Sequence, residues 1–160
     1  MNLYFRLIWV LINARLRPSI TSESYSNEIH TRVYPNDLDL NLHMNNGRYL
    51  TICDLGRMDL FVRSGLASVM IKEKWMPIVA DVTMTFIKPL YVFNKIRVVS
   101  EVTHWDDKFF YSIHTIYKGD LKVSEGTSKS LVVSKKTGRI TPDEVIKVVH
   151  KHTGINQEVS

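Results

Sequence analysis

The sequence predicts an α+β domain in which one long helix is wrapped by a curved antiparallel sheet of about five strands, with an extra amphipathic helix at the N-terminus. Three observations carry this. Over residues 47–64 the apolar side chains Tyr49, Ile52, Cys53, Gly56, Leu60 and Phe61 recur at spacings of three and four, the mark of a helix with one buried face. From Ile78 onward the period changes to two in four consecutive segments. The links between the last three, Trp105-Asp106-Asp107-Lys108 and Gly119-Asp120, are short and polar, as antiparallel hairpins require. A parallel dinucleotide-binding sheet is excluded, because it needs a helix between successive strands.

Each element has its own signal. Residues 1–17 are apolar with Asn2, Arg6, Asn13 and Arg17 on one narrow stripe, an amphipathic helix with a broad apolar face. The Ser-rich run Pro18 to Asn27 is a connection. Glu28 to Tyr34 reads as a strand and Pro35 to Asn46 as an irregular crossing. Asn45 or Asn46 caps the long helix, and Ser64-Gly65 ends it. A second irregular stretch leads to the strand at 78–87, and strands follow at 95–104, 109–118 and 121–134. Thr141-Pro142-Asp143-Glu144 combines an N-cap, a first-turn proline and a Glu three residues after the cap, starting a last helix to about His152. The expected organisation is an N-terminal helix and connection over 1–27, the main domain over 28–134, and a loop, short helix and tail over 135–160.

With 160 residues, 44% of them hydrophobic and 23% charged, the chain suits one domain and excludes a disordered or collagen-like protein. Its single cysteine, Cys53, forms no internal disulfide and supplies no zinc cluster, which fits a reducing compartment and excludes a bridged secreted scaffold. The net charge of +5 comes without any Lys/Arg block of five, so nucleic acid is not an expected partner. Leu3 to Ile12 is too short to span a bilayer, and no small-residue cleavage site follows it. The expected setting is the cytoplasm. Residues 1–17 dock on the domain or a partner subunit, or else touch a membrane surface peripherally through Trp9, Tyr4 and the arginines.

The chemistry concentrates in Asp37-Leu38-Asp39-Leu40-Asn41-Leu42-His43-Met44-Asn45-Asn46-Gly47-Arg48-Tyr49-Leu50. In an extended conformation its alternation would turn Asp37, Asp39, Asn41, His43 and Asn45 one way and the leucines with Met44 the other. A carboxylate beside a histidine can activate water, an asparagine amide can orient it, and the amides opening the helix can hold an oxyanion. No Ser or Cys nucleophile with a companion base is visible, and Cys53 sits on the buried helix face. With no second clustered His or Cys, His43, Asp37 and Asp39 are not read as a metal site.

A strand, then D-x-D-x-x-x-H-x-N-N-x-x-Y-L opening a long helix, then four strands resembles the hot-dog fold thioesterases of the 4-hydroxybenzoyl-CoA thioesterase type, in particular their acyl-CoA thioester hydrolase branch. The resemblance covers about Glu28 to Ser134. It implies that Asp39, the second aspartate, is the catalytic carboxylate. The spacing of Asp39, Asn41 and His43 is also similar to the D-x-N-x-H of acyl-ACP thioesterases, whose Asn and His belong to the site. Many members carry Gly immediately before the His, where this chain has Leu42.

The function so implied is hydrolysis of an acyl-CoA or acyl-ACP thioester to free acid and thiol, with Asp39 as general base or nucleophile and Asn41 and His43 positioning the reacting groups. Asn46, Gly47, Arg48 and Tyr49 are the expected substrate-binding residues, the amides of 46–48 holding the oxyanion. A thiol leaving group has a pKa of roughly 8.5 and departs with little acid help, so this sparse site suffices. No cofactor is expected; CoA enters as part of the substrate, with Lys88, Lys95 or Arg97 near its phosphates. Tyr49, Phe61, Trp75, Met76 and Met84 are candidates for an acyl tunnel. A homodimer or dimer of dimers is the implied assembly, consistent with an exposed sheet edge. Two alternatives stand beside this reading. One is an enoyl-thioester hydratase or dehydratase, whose sites typically read D-x-N-P-x-H. The other is a non-catalytic acyl-thioester or lipid-binding module at a membrane.

Overall fold

The structure, a computed structural model, describes residues 3–20 and 24–154. Asn2 of the polar stripe, residues 21–23 of the connection and residues 155–160 of the tail lie outside the described residues. The elements run α1 (Leu3–Leu16), β1 (Ser26–Arg32), a 3-10 turn (Pro35–Asp37), α2 (Asn46–Arg63), α3 (Leu66–Glu73), β2 (Trp75–Phe86), β3 (Lys95–Trp105), β4 (Phe110–Lys118), β5 (Leu121–Ser134), β6 (Gly138–Ile140) and α4 (Pro142–Thr153).

All the strands belong to one antiparallel sheet, ordered β1-β3-β4-β5-β2, with β6 pairing β5 where β4 has ended. This is the hot-dog architecture. The sheet curls around α2, whose buried residues include Tyr49, Ile52, Cys53, Gly56 and Leu60 as the spacing predicts; Phe61 is half-buried. Asn45 caps α2 by accepting from the Gly47 N–H, and Thr141 caps α4 by accepting from the Glu144 N–H. Gly56 has a packing reason: a Cβ there would lie 2.6 Å from Ser100 Oγ, so only glycine lets α2 approach β3 this closely.

Two expectations are refined. The second irregular stretch contains α3, flanked by the left-handed residues Gly65 and Lys74, and β2 starts at Trp75 rather than Ile78. The expected C-terminal helix is present as α4 and packs on the domain. Val145 and Val149 of α4 join Val69 and Met70 of α3 and Val132 of β5 in a second hydrophobic core. The N-terminal helix docks on the domain with a mixed face. Val10 and Ala14 are buried, Leu3 and Leu7 pack against the core, and Arg6 of the polar stripe is buried among them, while Tyr4, Phe5, Ile8, Trp9, Ile12 and Leu16 face outward. Ion pairs with buried carboxylates, Arg6 with Asp37 and Arg17 with Asp59, draw these two arginines toward the domain.

Candidate active site

The segment from Asp37 to Asn45 is a folded loop rather than an extended strand, so the expected alternation fails. Leu38 and Met44 bridge one another, but Leu40 and Leu42 are exposed instead of facing the core. The Asp39 N–H donates to the His43 carbonyl at 3.0 Å and the Leu42 N–H to the Asp39 carbonyl at 3.1 Å, closing a tight turn. That turn places Leu42 at φ 59°, in the left-handed region that glycine occupies freely.

Burial separates the two aspartates. Asp37 is 1% exposed and its Oδ2 accepts from the Arg6 guanidinium and from the Tyr34 N–H at 2.8 Å, while its backbone carbonyl accepts from the Asn45 N–H at 2.8 Å. It anchors both ends of the loop. Asp39 remains open. Its Oδ1 accepts from the Asn41 N–H at 2.8 Å and its Oδ2 lies 3.5 Å from His43 Nδ1, both side chains partly accessible. Asn41 is exposed and reaches Asp39 through its backbone amide.

The predicted binding residues fall into separate roles. The Gly47 N–H is taken by the Asn45 side chain and the Arg48 N–H by the Asn45 carbonyl, so the Asn46 amide is the one of the three that the cap leaves over. The Arg48 guanidinium donates to the Asn36 carbonyl at 3.3 Å and lies 3.9 Å from Asp37, bracing the loop. Tyr49 is buried with its ring edge-on to Phe86, centroids 5.0 Å apart, and burial pushes its phenol up, a Leu90 backbone hydrogen bond offsetting part of this.

A cavity of about 190 Å³ opens beside His43, lined also by Asn46, Tyr49, Phe86 and Lys88. A second, of about 310 Å³, lies between α2 and β2 along Leu50, Cys53, Val82 and Met84. A larger one, about 600 Å³, lies elsewhere, between α1 and the β1/β3 edge, and contains none of the predicted catalytic residues. The chemistry therefore points to the smaller cavities. The CoA-phosphate candidates are divided: Lys88 lies at the His43 cavity, whereas Lys95 and Arg97 line the large one. The tunnel candidates are divided as well. Tyr49 and Met84 line the groove, Phe61 lines a rear cavity, Trp75 packs against the second core, and Met76 is exposed.

Cys53 is inert: burial pushes its thiol up to about 12. Among the described residues no group of three His, Cys, Asp or Glu side chains is arranged to hold a metal ion. No helix among them is long and apolar enough to cross a membrane. One polar cluster escaped the sequence reading. His114, 2% exposed, lies opposite Ser100 in the β3/β4 register and contacts Ser100 Oγ at 2.9 Å, Ser128 Oγ at 3.1 Å and the Arg57 guanidinium at 3.3 Å. The available signal was a histidine at an inward strand position opposite a serine.

Residues 33–149 match the family model described as the thioesterase-like superfamily. Protein THEM6 of Xenopus laevis is 32% identical over 108 residues, covering 68% of this chain and 52% of the relative. A probable thioesterase of Saccharomyces cerevisiae, YBR096W, is 31% identical over 117 residues, covering 71% of this chain and 49% of the relative. The chain thus spans about half the length of these relatives. Among solved structures, the DHNA-CoA thioesterase of Staphylococcus aureus superposes with TM-score 0.70 at 16% identity, covering 81% of this chain and 89% of that one. The probable thioesterase YbaW of Escherichia coli gives the same score and identity over 76% and 94%. At such identities the structures speak for the fold, and the sequence match carries the kinship: the chain belongs to the thioesterase-like superfamily.

Proposed function

We propose that this protein hydrolyses acyl-CoA thioesters, with acyl-ACP as a nearby variant, and that Asp39 supplies the general base or nucleophile. The observation that supports this most is the open Asp39–His43 pair at the mouth of α2, held 3.5 Å apart beside an apolar groove while its neighbour Asp37 is buried in structural bonds. As base, Asp39 takes a proton from water that attacks the thioester carbonyl, and the thiolate leaves as the tetrahedral adduct collapses. As nucleophile, it attacks the carbonyl and expels the thiolate to form a mixed anhydride that water then opens. In either route the Asn46 amide and the N-terminal field of α2 face the developing oxyanion. Lys88 at the rim suits the CoA phosphates.

A second copy belongs to this reading. β2 forms one edge of the sheet, and Met76, Ile78, Val79, Val82 and Phe86 along it are exposed, a surface suited to a homodimer or dimer of dimers. Light scattering that returns a monomer at working concentration removes this part.

The outer face of α1 favours a membrane-associated setting. Trp9 is 54% exposed and Leu16 80%, and Arg15 is exposed in the last turn. Retention on anionic but not neutral vesicles is the expected result.

Thiol release from short-chain, long-chain and aryl CoA esters tests the main reading. Release from at least one class is expected. Hydration of an enoyl ester without thiol release would instead favour the hydratase alternative, and tight binding without reaction the binding module.

A further inference from the structure

We propose that Arg57 and His114 form the far wall of an acyl-binding groove and set the longest chain the site accepts. The inference rests on the acyl-thioester reading and goes beyond it by assigning chain-length selection to two residues outside the catalytic loop.

The two cavities lie in succession along α2 and β2, and are joined in this proposal into one path. Beside His43 the walls are Asn46 and Tyr49 of α2 with Phe86 from the end of β2; farther on they are Leu50 and Cys53 of α2 with Met84, Val82 and Val79 of β2. Both elements are thus followed in order away from His43, and the Tyr49 and Phe86 rings mark the junction. From Asn46 to Arg57 the path runs along about 16 Å of helix, at 1.5 Å per residue. It ends on Arg57 and His114. The same two side chains also line a third cavity, of about 60 Å³, with Leu60, Phe61, Val102 and Phe110. They are the partition between an apolar groove and an apolar chamber behind it.

The partition is held in place. A guanidinium only donates, so His114 Nε2 accepts from Arg57, and the ring proton sits on Nδ1 facing Ser100 Oγ. Burial, with Arg57 adding to it, keeps the imidazole neutral by lowering its pKa to about 4. The Arg57 guanidinium also binds Asp54 at 2.5 Å. Each methylene laid against Leu50, Cys53 and Val82 is favourable. The next one beyond would have to part Arg57 from His114 and break the buried hydrogen bond between them.

The test is a chain-length series of saturated CoA esters, butyryl to palmitoyl, on wild type, Arg57→Met, His114→Ala and Leu50→Phe. In wild type, kcat/KM is expected to rise with length and then fall by about tenfold or more once the chain reaches the wall, the discrimination a few methylenes command in an apolar pocket. Arg57→Met and His114→Ala are expected to move the break to longer chains. Leu50→Phe, half-buried on the helix surface ahead of the wall, is expected to move it to shorter chains. Superimposable profiles from the folded variants overturn the proposal. If Arg57→Met and His114→Ala fail to fold, Leu50→Phe decides it. If wild type hydrolyses no ester, the thioesterase reading fails, and the same series read as Kd by fluorescence titration tests the wall: an affinity break that these variants shift supports it, and an unbroken profile overturns it.

Discussion

The Arg6 guanidinium meets the Asp37 carboxylate at 2.5 Å, with both side chains 3% exposed or less and 31 residues apart in sequence. One bond therefore joins the N-terminal helix to the loop that carries Asp39. Removing Arg6 leaves Asp37 charged and buried with only the Tyr34 N–H and the more distant Arg48 guanidinium, so Arg6→Met is expected to cost about 3 kcal/mol. Urea denaturation measures it. In a double-mutant cycle with Asp37→Asn the two losses should be far from additive; simple additivity would show that the pair does not act as a unit.

Leu42 is the residue standing where many hot-dog thioesterases carry glycine, and its φ of 59° shows why glycine suits the turn. It is 72% exposed and has little packing to lose. Leu42→Gly should therefore raise stability by up to about 1 kcal/mol, the left-handed strain relieved less the added freedom of the unfolded chain. Leu42→Ala, which keeps a Cβ, should give no gain.

Gly56→Ala offers a better helix former, worth about 1 kcal/mol in an open helix. Here the new methyl meets Ser100 Oγ, which is fully buried and bonded to His114. A net loss of about 1–3 kcal/mol is expected from overpacking. A melting temperature equal to or above wild type would contradict the close α2–β3 approach.

His114 makes stability depend on pH. Its folded-state pKa of about 4 lies below the ordinary value of 6.5, so as pH falls from 6.5 toward 4 the unfolded chain takes up a proton that the folded one refuses. Stability from this group is complete above 6.5 and falls by about 3 kcal/mol on the way to pH 4. His114→Gln should lack that slope. Parallel urea midpoints for the two proteins across this range would refute it.

Much of the architecture was legible because local chemistry dictated it: the Asn45 and Thr141 caps, the spacing on α2 and the hairpin links each lie within a few residues of what they determine. The helix Leu66–Glu73 was not, since it ends on Lys74 in a left-handed conformation rather than on glycine, and only Val69 and Met70 of its eight residues are buried. The inward turn of Arg6 depends on a partner in another element, which periodicity cannot report. The site was half legible. The motif placed Asp39 and His43 together, but the distinction between an open Asp39 and a buried Asp37 required knowing that α1 covers the latter. Arg57 and His114 were silent because their pairing comes from a helix crossing a strand.

Mutation separates the two aspartates, since Asp39 is proposed to perform the chemistry and Asp37 to hold the loop. Asp39 is partly open and bonded through one backbone amide, so Asp39→Asn keeps the shape and the fold and removes the negative charge. The decisive measurement is steady-state thiol release by Asp39→Asn, on whichever CoA ester wild type turns over best, with circular dichroism on the same sample. A native spectrum is expected, with kcat reduced by about 10²-fold or more, the scale of a lost general base. A native Asp39→Asn protein with wild-type kcat would contradict this role of Asp39.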